Sequence, residues 1–175
     1  METKTSHRFS NCTRFLILRL NGQIYGVPVS TVIEVNKPRS ISPIPKTPPF
    51  VVGVMRLRDI VIPVVSLRIK LGIPSVKNTR QSSVISIESG SQTFGVLVDS
   101  VDRVTTLNKE QISPPLFSDK SEQDSGFIIG LGLGASDKNV IILLDAQALF
   151  SNENFTKQFD INKIHKEVDS KGRAA

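Results

Sequence analysis

The chain repeats itself once. Tyr25, Gly26, Val27, Val29, Val32 and Val35 recur as Phe94, Gly95, Val96, Val98, Val101 and Val104, each 69 residues on. The match continues at a growing offset. Ile41-Ser42-Pro43 returns as Ile112-Ser113-Pro114, Phe50-Val51-Val52-Gly53 as Phe127-Ile128-Ile129-Gly130, and Val61-Ile62 as Val140-Ile141. Four blocks in one order are hard to produce by composition, and a period this long is far outside solenoid spacing. It specifies two related lobes. Most of the growth in offset falls at Leu116 to Gly126, as an inserted surface loop would place it.

The repeat unit reads as strands. Phe15 to Leu20 and Gln23 to Val29 flank Asn21-Gly22, the strongest short-range signal for a two-residue hairpin. Further strands are predicted at Val32 to Asn36, Val51 to Arg56 and Ile60 to Val65. In the second half they fall at Val84 to Glu88, Gln92 to Val98, Val101 to Leu107, Phe127 to Leu133 and Asn139 to Leu144. Five short strands per lobe with closely spaced turns indicate an all-β protein built from small barrels or a sandwich. Pro43, Pro45, Pro48 and Pro49 share one inter-strand loop, and Pro114 and Pro115 occupy the matching place, where a missing amide costs no ladder bond. Pro28 and Pro63 sit within strands and should mark edges or bulges. Gly26 and Gly95, each directly after an aromatic, mark a tight bend or a close approach of backbone.

A lobe of about 65 residues buries too little surface to be comfortably stable, so the two should fold as a unit. Lobe one is expected at about 14–73 and lobe two at about 83–150, joined through the polar stretch Pro74 to Ser83. Residues 1–13 read as a flexible tail. In residues 151–175, Phe155, Phe159, Ile161, Ile164 and Val168 follow spacings that suit a short amphipathic C-terminal helix.

At 39% hydrophobic and 22% charged residues the composition is that of an ordinary globular protein, and no apolar run reaches the roughly 20 residues needed to span a bilayer. The polar stretch Met1 to Thr13 has no signal-peptide core, and Cys12 is the single cysteine, so a reducing cytosol is the expected location. The net charge of +6 raises a nucleic-acid reading, but the basic residues are scattered. With no Trp and one Tyr there is no evident row of stacking aromatics, so no nucleic-acid partner is expected.

Catalytic chemistry is poorly supplied. His7 and His165 are the only histidines, and both lie outside the repeat. No Cys/His spacing suits a metal, and no cofactor is expected. Gly130, Gly132 and Gly134 alternate along a strand; no Lys-Ser/Thr follows and no helix opens there, so they do not form a phosphate loop. Asp99 and Asp102 lack a nearby base, and Asp99 reads as a turn residue. What remains is surface for partners. Charge is interleaved with apolar residues in two segments: Glu34 among valines, and Arg56, Arg58 and Asp59 at a tip between strands, where an arginine can clamp a carboxylate.

These same segments carry a family resemblance. Tyr25-Gly26-Val27-Pro28-Val29, Val32-Ile33-Glu34-Val35, Ile44-Pro45 with Pro48, Gly53-Val54-Met55-Arg56-Leu57-Arg58, Ile60-Val61-Ile62-Pro63-Val64 with Leu67-Arg68, Phe94-Gly95-Val96-Leu97-Val98-Asp99, and Ile142-Leu143-Leu144-Asp145 together resemble the CheW-like chemotaxis adaptor family, from about Arg14 to Phe150. The resemblance implies two five-stranded SH3-like barrels, and leaves open whether the first strand pairs with its own half or with the second lobe. It implies a noncatalytic coupler joining the cytoplasmic tips of chemoreceptors to the regulatory domain of the histidine kinase CheA, in the cytoplasm and recruited to membrane-associated receptor arrays. By position, Arg58 and Gly53 would contact the receptor, with Arg56 and Asp59 at the same tip. Val32, Glu34 and Val35 would face the kinase, and Gly95 and Val104 match positions tied to coupling. Where the family usually has Asn-Leu-Arg-Gly, this chain has Arg56-Leu57-Arg58-Asp59. Alternatives to this reading are a chemotaxis-like pathway with another output, such as pili, and, in a different class, a basic small-barrel nucleic-acid binder.

Overall fold

The structure is a computed structural model that describes residues 12–38, 41–90, 92–115, 126–134, 139–146 and 148–150. The helix expected from Phe155 to Val168 lies outside these residues. In chain order the strands are β1 (Cys12–Leu20), β2 (Gln23–Pro28), β3 (Val32–Asn36), β4 (Val51–Leu57), β5 (Ile60–Ser66), β6 (Ser83–Ser89), β7 (Gln92–Val98), β8 (Ser100–Asn108), β9 (Ile112–Ser113), β10 (Ile128–Leu133) and β11 (Val140–Leu144). One short helix, α1 (Leu67–Lys70), follows β5. The ten expected strands form, while β9 and α1 are additions too short to give a periodic signal. β1 begins at Cys12, inside the stretch read as a tail.

The strands make two sheets, and these do not follow the two halves of the chain. One has the order β8-β1-β2-β11-β10-β9, the other β3-β6-β7-β5-β4. The hairpin β1–β2 therefore sits with the second-half strands, and its counterpart β6–β7 sits with the first-half strands. Sheet membership thus cuts across the sequence spans 14–73 and 83–150 that the repeat delimits. Repeated strands have equivalent pairing potential, so the repeat alone does not say from which copy each hairpin draws its neighbours.

Register carries the duplication down to single residues. Leu143 lies opposite Gly26 in the parallel pair β11–β2, and Val64 lies opposite Gly95 in β5–β7. A β-bulge falls between Val51 and Gly53 in β4 and between Ile128 and Gly130 in β10. Ser42 bridges Val54, as Ser113 pairs with Leu131. Pro63 pairs with Val54 in β4 and precedes the β5–β7 ladder, which starts at Val64, so its missing amide breaks no bond there.

Alternation along the strands sorts side chains into three cores. Phe15, Ile17, Ile24, Leu107, Ile129, Ile141 and Leu143 fill the six-stranded sheet, while Met55, Leu57, Ile62, Val64 and Val84 fill the five-stranded one. The largest cluster lies between the sheets and includes Leu16, Leu18, Leu20, Tyr25, Val27, Ile85, Ile87, Phe94, Val96 and Val98. β1 thus buries both faces, which is why Phe15 to Leu18 reads as an unbroken apolar run. Gly26 and Gly95 answer to the same packing. A Cβ on Gly26 would lie 3.1 Å from Leu143 Cδ2, and one on Gly95 would lie 2.8 Å from Val84 Cγ1. The close approach there is by core side chains rather than at a bend.

Candidate functional site

Leu57 pairs with Ile60, so Arg58 and Asp59 form a two-residue tip between β4 and β5. Arg58 takes the left-handed conformation, φ 54°, uncommon for a residue with a side chain. Its side chain is 77% exposed, and its Nη2 donates to Glu34 Oε2 on β3 at 3.0 Å. The other Glu34 oxygen accepts from Asn36 Nδ2 at 3.0 Å. The Asn36 amide, and behind it the Arg58 guanidinium, hold the Glu34 carboxyl below its usual range. An ion pair this open adds little to stability; what it does is set the orientation of both side chains at the surface.

Exposed aliphatics lie on and beside the elements that carry this pair. Ile33 and Val35 on β3 are 46% and 43% exposed, and Ile60, next to Asp59, is 42% exposed. Exposed aliphatics beside charged groups on an edge strand are features that docking surfaces share. Among the described residues no group of three or more His, Cys, Asp or Glu could hold a metal ion.

The residues singled out from sequence fall differently from one another. Glu34 and Arg58, assigned to separate kinase and receptor patches, are bonded to each other. Val35 is exposed, but Val32 is half-buried against the core between the sheets. Gly53 is buried with φ 146°, and a Cβ there would fall on the Ser42 carbonyl. It lies within β4, against the Ser42 segment. Arg56 is exposed and its Nε donates to the Arg58 carbonyl at 3.0 Å. Asp59 is exposed beside it. Gly95 lies in the barrel interior, whereas Val104 is 51% exposed on β8. Val104 occupies the register position of Val35, since Val35 lies opposite Ile85 and Val104 opposite Leu16. Asn36, Ile33 and Ile60 were missed. Asn36 was findable, because residues two apart in a strand share a face.

At the other end of the same sheet Asp99 joins the two sheets. It is the single residue between β7 and β8, which belong to different sheets. Arg68 grips it with Nε to Oδ1 at 2.6 Å and Nη2 to Oδ2 at 2.7 Å, and the Asn21 amide in the β1–β2 turn donates to Oδ2 at 2.8 Å. The Arg68 guanidinium holds the Asp99 carboxyl below its usual range. Asp102 pairs instead with Arg19 and Arg103, at 3.2 and 3.1 Å, so the two aspartates do not act together. A cleft of about 420 Å³ opens beside Arg68 and Asp99, over Ile41, Val52 and Leu97, with Lys77 on its lining.

Comparison with known proteins agrees with this architecture. The CheW-like domain model matches residues 14–154. The chemotaxis protein CheW of Klebsiella aerogenes is 32% identical over 152 residues, covering 86% of this chain and 89% of that protein. The CheW of Thermotoga maritima is 33% identical over 130 residues, covering 74% and 82%. The crystal structure of the scaffolding protein TtCheW from Thermoanaerobacter tengcongensis superposes with a TM-score of 0.71 at 30% identity, covering 81% of this chain and 94% of that one. The two sheets are accordingly the two SH3-like barrels of that fold, and the chain belongs to the CheW-like family of noncatalytic chemotaxis adaptors.

Proposed function

We propose that this chain couples the cytoplasmic tips of chemoreceptors to the regulatory domain of a CheA-type histidine kinase, and that the Arg58–Glu34 end of the five-stranded barrel is where it does so. The observation that carries this reading is the exposed ion pair between the β4–β5 tip and the edge strand β3, which also exposes Ile33 and Val35. Arg58 offers a guanidinium to receptor carboxylates; the apolar face of β3 offers Val35 to the kinase. Because Glu34 bonds Arg58, a receptor that draws the guanidinium away alters the β3 surface the kinase meets. Coupling then follows from unequal binding to two arrangements of one ion pair. The chain would act in the cytoplasm, held at membrane-associated arrays by its partners.

Arg58→Ala should weaken binding to a soluble receptor hairpin fragment by about tenfold, in line with loss of a charge-assisted hydrogen bond, while affinity for the kinase regulatory domain changes little. Glu34→Lys should reverse that order. Calorimetry with each partner separates the two, and unchanged receptor affinity in Arg58→Ala would remove the tip from the site.

A further inference from the structure

At the β4–β5 tip the structure gives Arg56 a specific bond. On β4, Met55 and Leu57 point into the core and Arg56 points out. Rather than extending into solvent, the Arg56 side chain folds over the turn, and its Nε donates to the main-chain carbonyl of Arg58 at 3.0 Å. That carbonyl belongs to the residue at φ 54°, a conformation uncommon for a residue with a side chain and one that nearby bonds can favour. Neither tip residue, Arg58 or Asp59, is glycine, so the turn lacks the residue that would make it pliant.

We infer that Arg56 is a positioning residue: its Nε–H clamps the Arg58 carbonyl, fixes the left-handed tip, and so aims the Arg58 guanidinium at Glu34 and at the docking face. Arg56 acts through Arg58 and not by touching the partner. A tip held in its binding conformation binds more tightly in proportion to the time spent there. The inference rests on the docking reading above for its effect on affinity, and on the turn geometry alone for its effect on conformation.

Two substitutions separate the bond from the charge. In glutamine, Nε2 stands the same number of bonds from the backbone as Nε in arginine, so Arg56→Gln keeps the donor and drops the charge; Arg56→Met drops both. In the free full-length chain, the Arg58 Cβ shift and amide–α coupling should report positive φ in the parent and in Arg56→Gln, and move toward extended values in Arg56→Met. Against the receptor hairpin fragment, Arg56→Met should bind about five- to tenfold more weakly, as a tip in the competent conformation for about 10–20% of the time would. Arg56→Gln should stay within about twofold of the parent, and adding Arg56→Met to Arg58→Ala should cost nothing further. Arg56→Gln binding as weakly as Arg56→Met, losses that add in the double variant, or an Arg58 signal unmoved in Arg56→Met would each overturn the inference. If the parent itself does not bind the fragment, the docking reading fails, and the Arg58 signal still decides whether Arg56 fixes the tip.

Discussion

A Cβ built on Gly53 would fall on the Ser42 carbonyl oxygen, and the backbone there has φ 146°. The counterpart Gly130 is crowded in the same way, with Ser113 O 2.8 Å from the added atom. Both glycines sit at the bulge of their strand, so each barrel uses one to let the loop before it press against the sheet. The family resemblance puts Gly53 at a receptor contact by position, and a position carried over from a family does not tell room for a partner from room for the chain's own backbone. Gly53→Ala is therefore expected to lower folding stability by about 3 kcal/mol or more, since strain and a backbone clash combine. Gly90 provides the control: it is exposed, at φ 62°, with nothing within 4 Å of an added Cβ. Gly90→Ala should cost only about 1–2 kcal/mol, the conformational penalty alone. Urea denaturation of both variants measures the difference, and equal losses would mean that the Ser42 contact is not what excludes a side chain. The Glu34–Arg58 bond was invisible in the sequence for another reason. The partners are 24 residues apart, and periodicity reports the face a side chain occupies but not which tip comes round to meet it.

At the scale of elements, strands were legible because period-two alternation persists over five or more residues, whereas α1 spans four residues and shows no period. Its cap nevertheless obeys the repeat. Ser66 Oγ accepts from the Ile69 amide, and 79 residues on Asp145 Oδ1 accepts from the Ala148 amide. What α1 adds in one copy alone is Arg68, whose side chain is 12% exposed while that of Asp99 is 29% exposed. Through Asp99 it ties the end of β5, the crossover into β8 and the β1–β2 turn together. Arg68→Met should destabilise the fold by about 2–3 kcal/mol at neutral pH, as removal of paired charge-assisted bonds does. Because Asp99 has its carboxyl pKa lowered in the folded chain, the bond stabilises fully above the ordinary aspartate range, near 4, and fades as pH falls through the lower folded value. The gap between parent and variant should thus be constant from pH 7 to about 5 and close as acid is added. Denaturation curves at a series of pH values test this; a gap that persists unchanged at the acid end would assign the loss to packing rather than to the ion pair.

The whole molecule is a duplication whose halves exchange hairpins. Every strand of the five-stranded sheet lies within residues 32–98, while the six-stranded sheet is assembled from both ends of the chain, β1–β2 and β8–β11. Neither half can complete a sheet by itself. Residues 12–77 hold β3 without β6, β5 without β7, and β1 and β2 without β8 and β11, and they lose Ile85, Ile87, Phe94, Val96 and Val98 from the core between the sheets. Partners so distant in sequence leave no local trace, so the motif order that revealed two lobes could not reveal the exchange. The consequence is physical: a cut at the midpoint leaves neither sheet complete, and both sheets are anchored in the same shared core. Expressed alone, residues 12–77 and residues 78–150 should each give narrow amide dispersion in NMR spectra, since each retains only fragments of both sheets. Mixed after separate purification, they should recover the dispersed spectrum of the intact chain, because each supplies the strands the other lacks. A dispersed spectrum from either half alone would require a barrel closed within one half, which the pairing of β1 with β8 and of β3 with β6 does not allow.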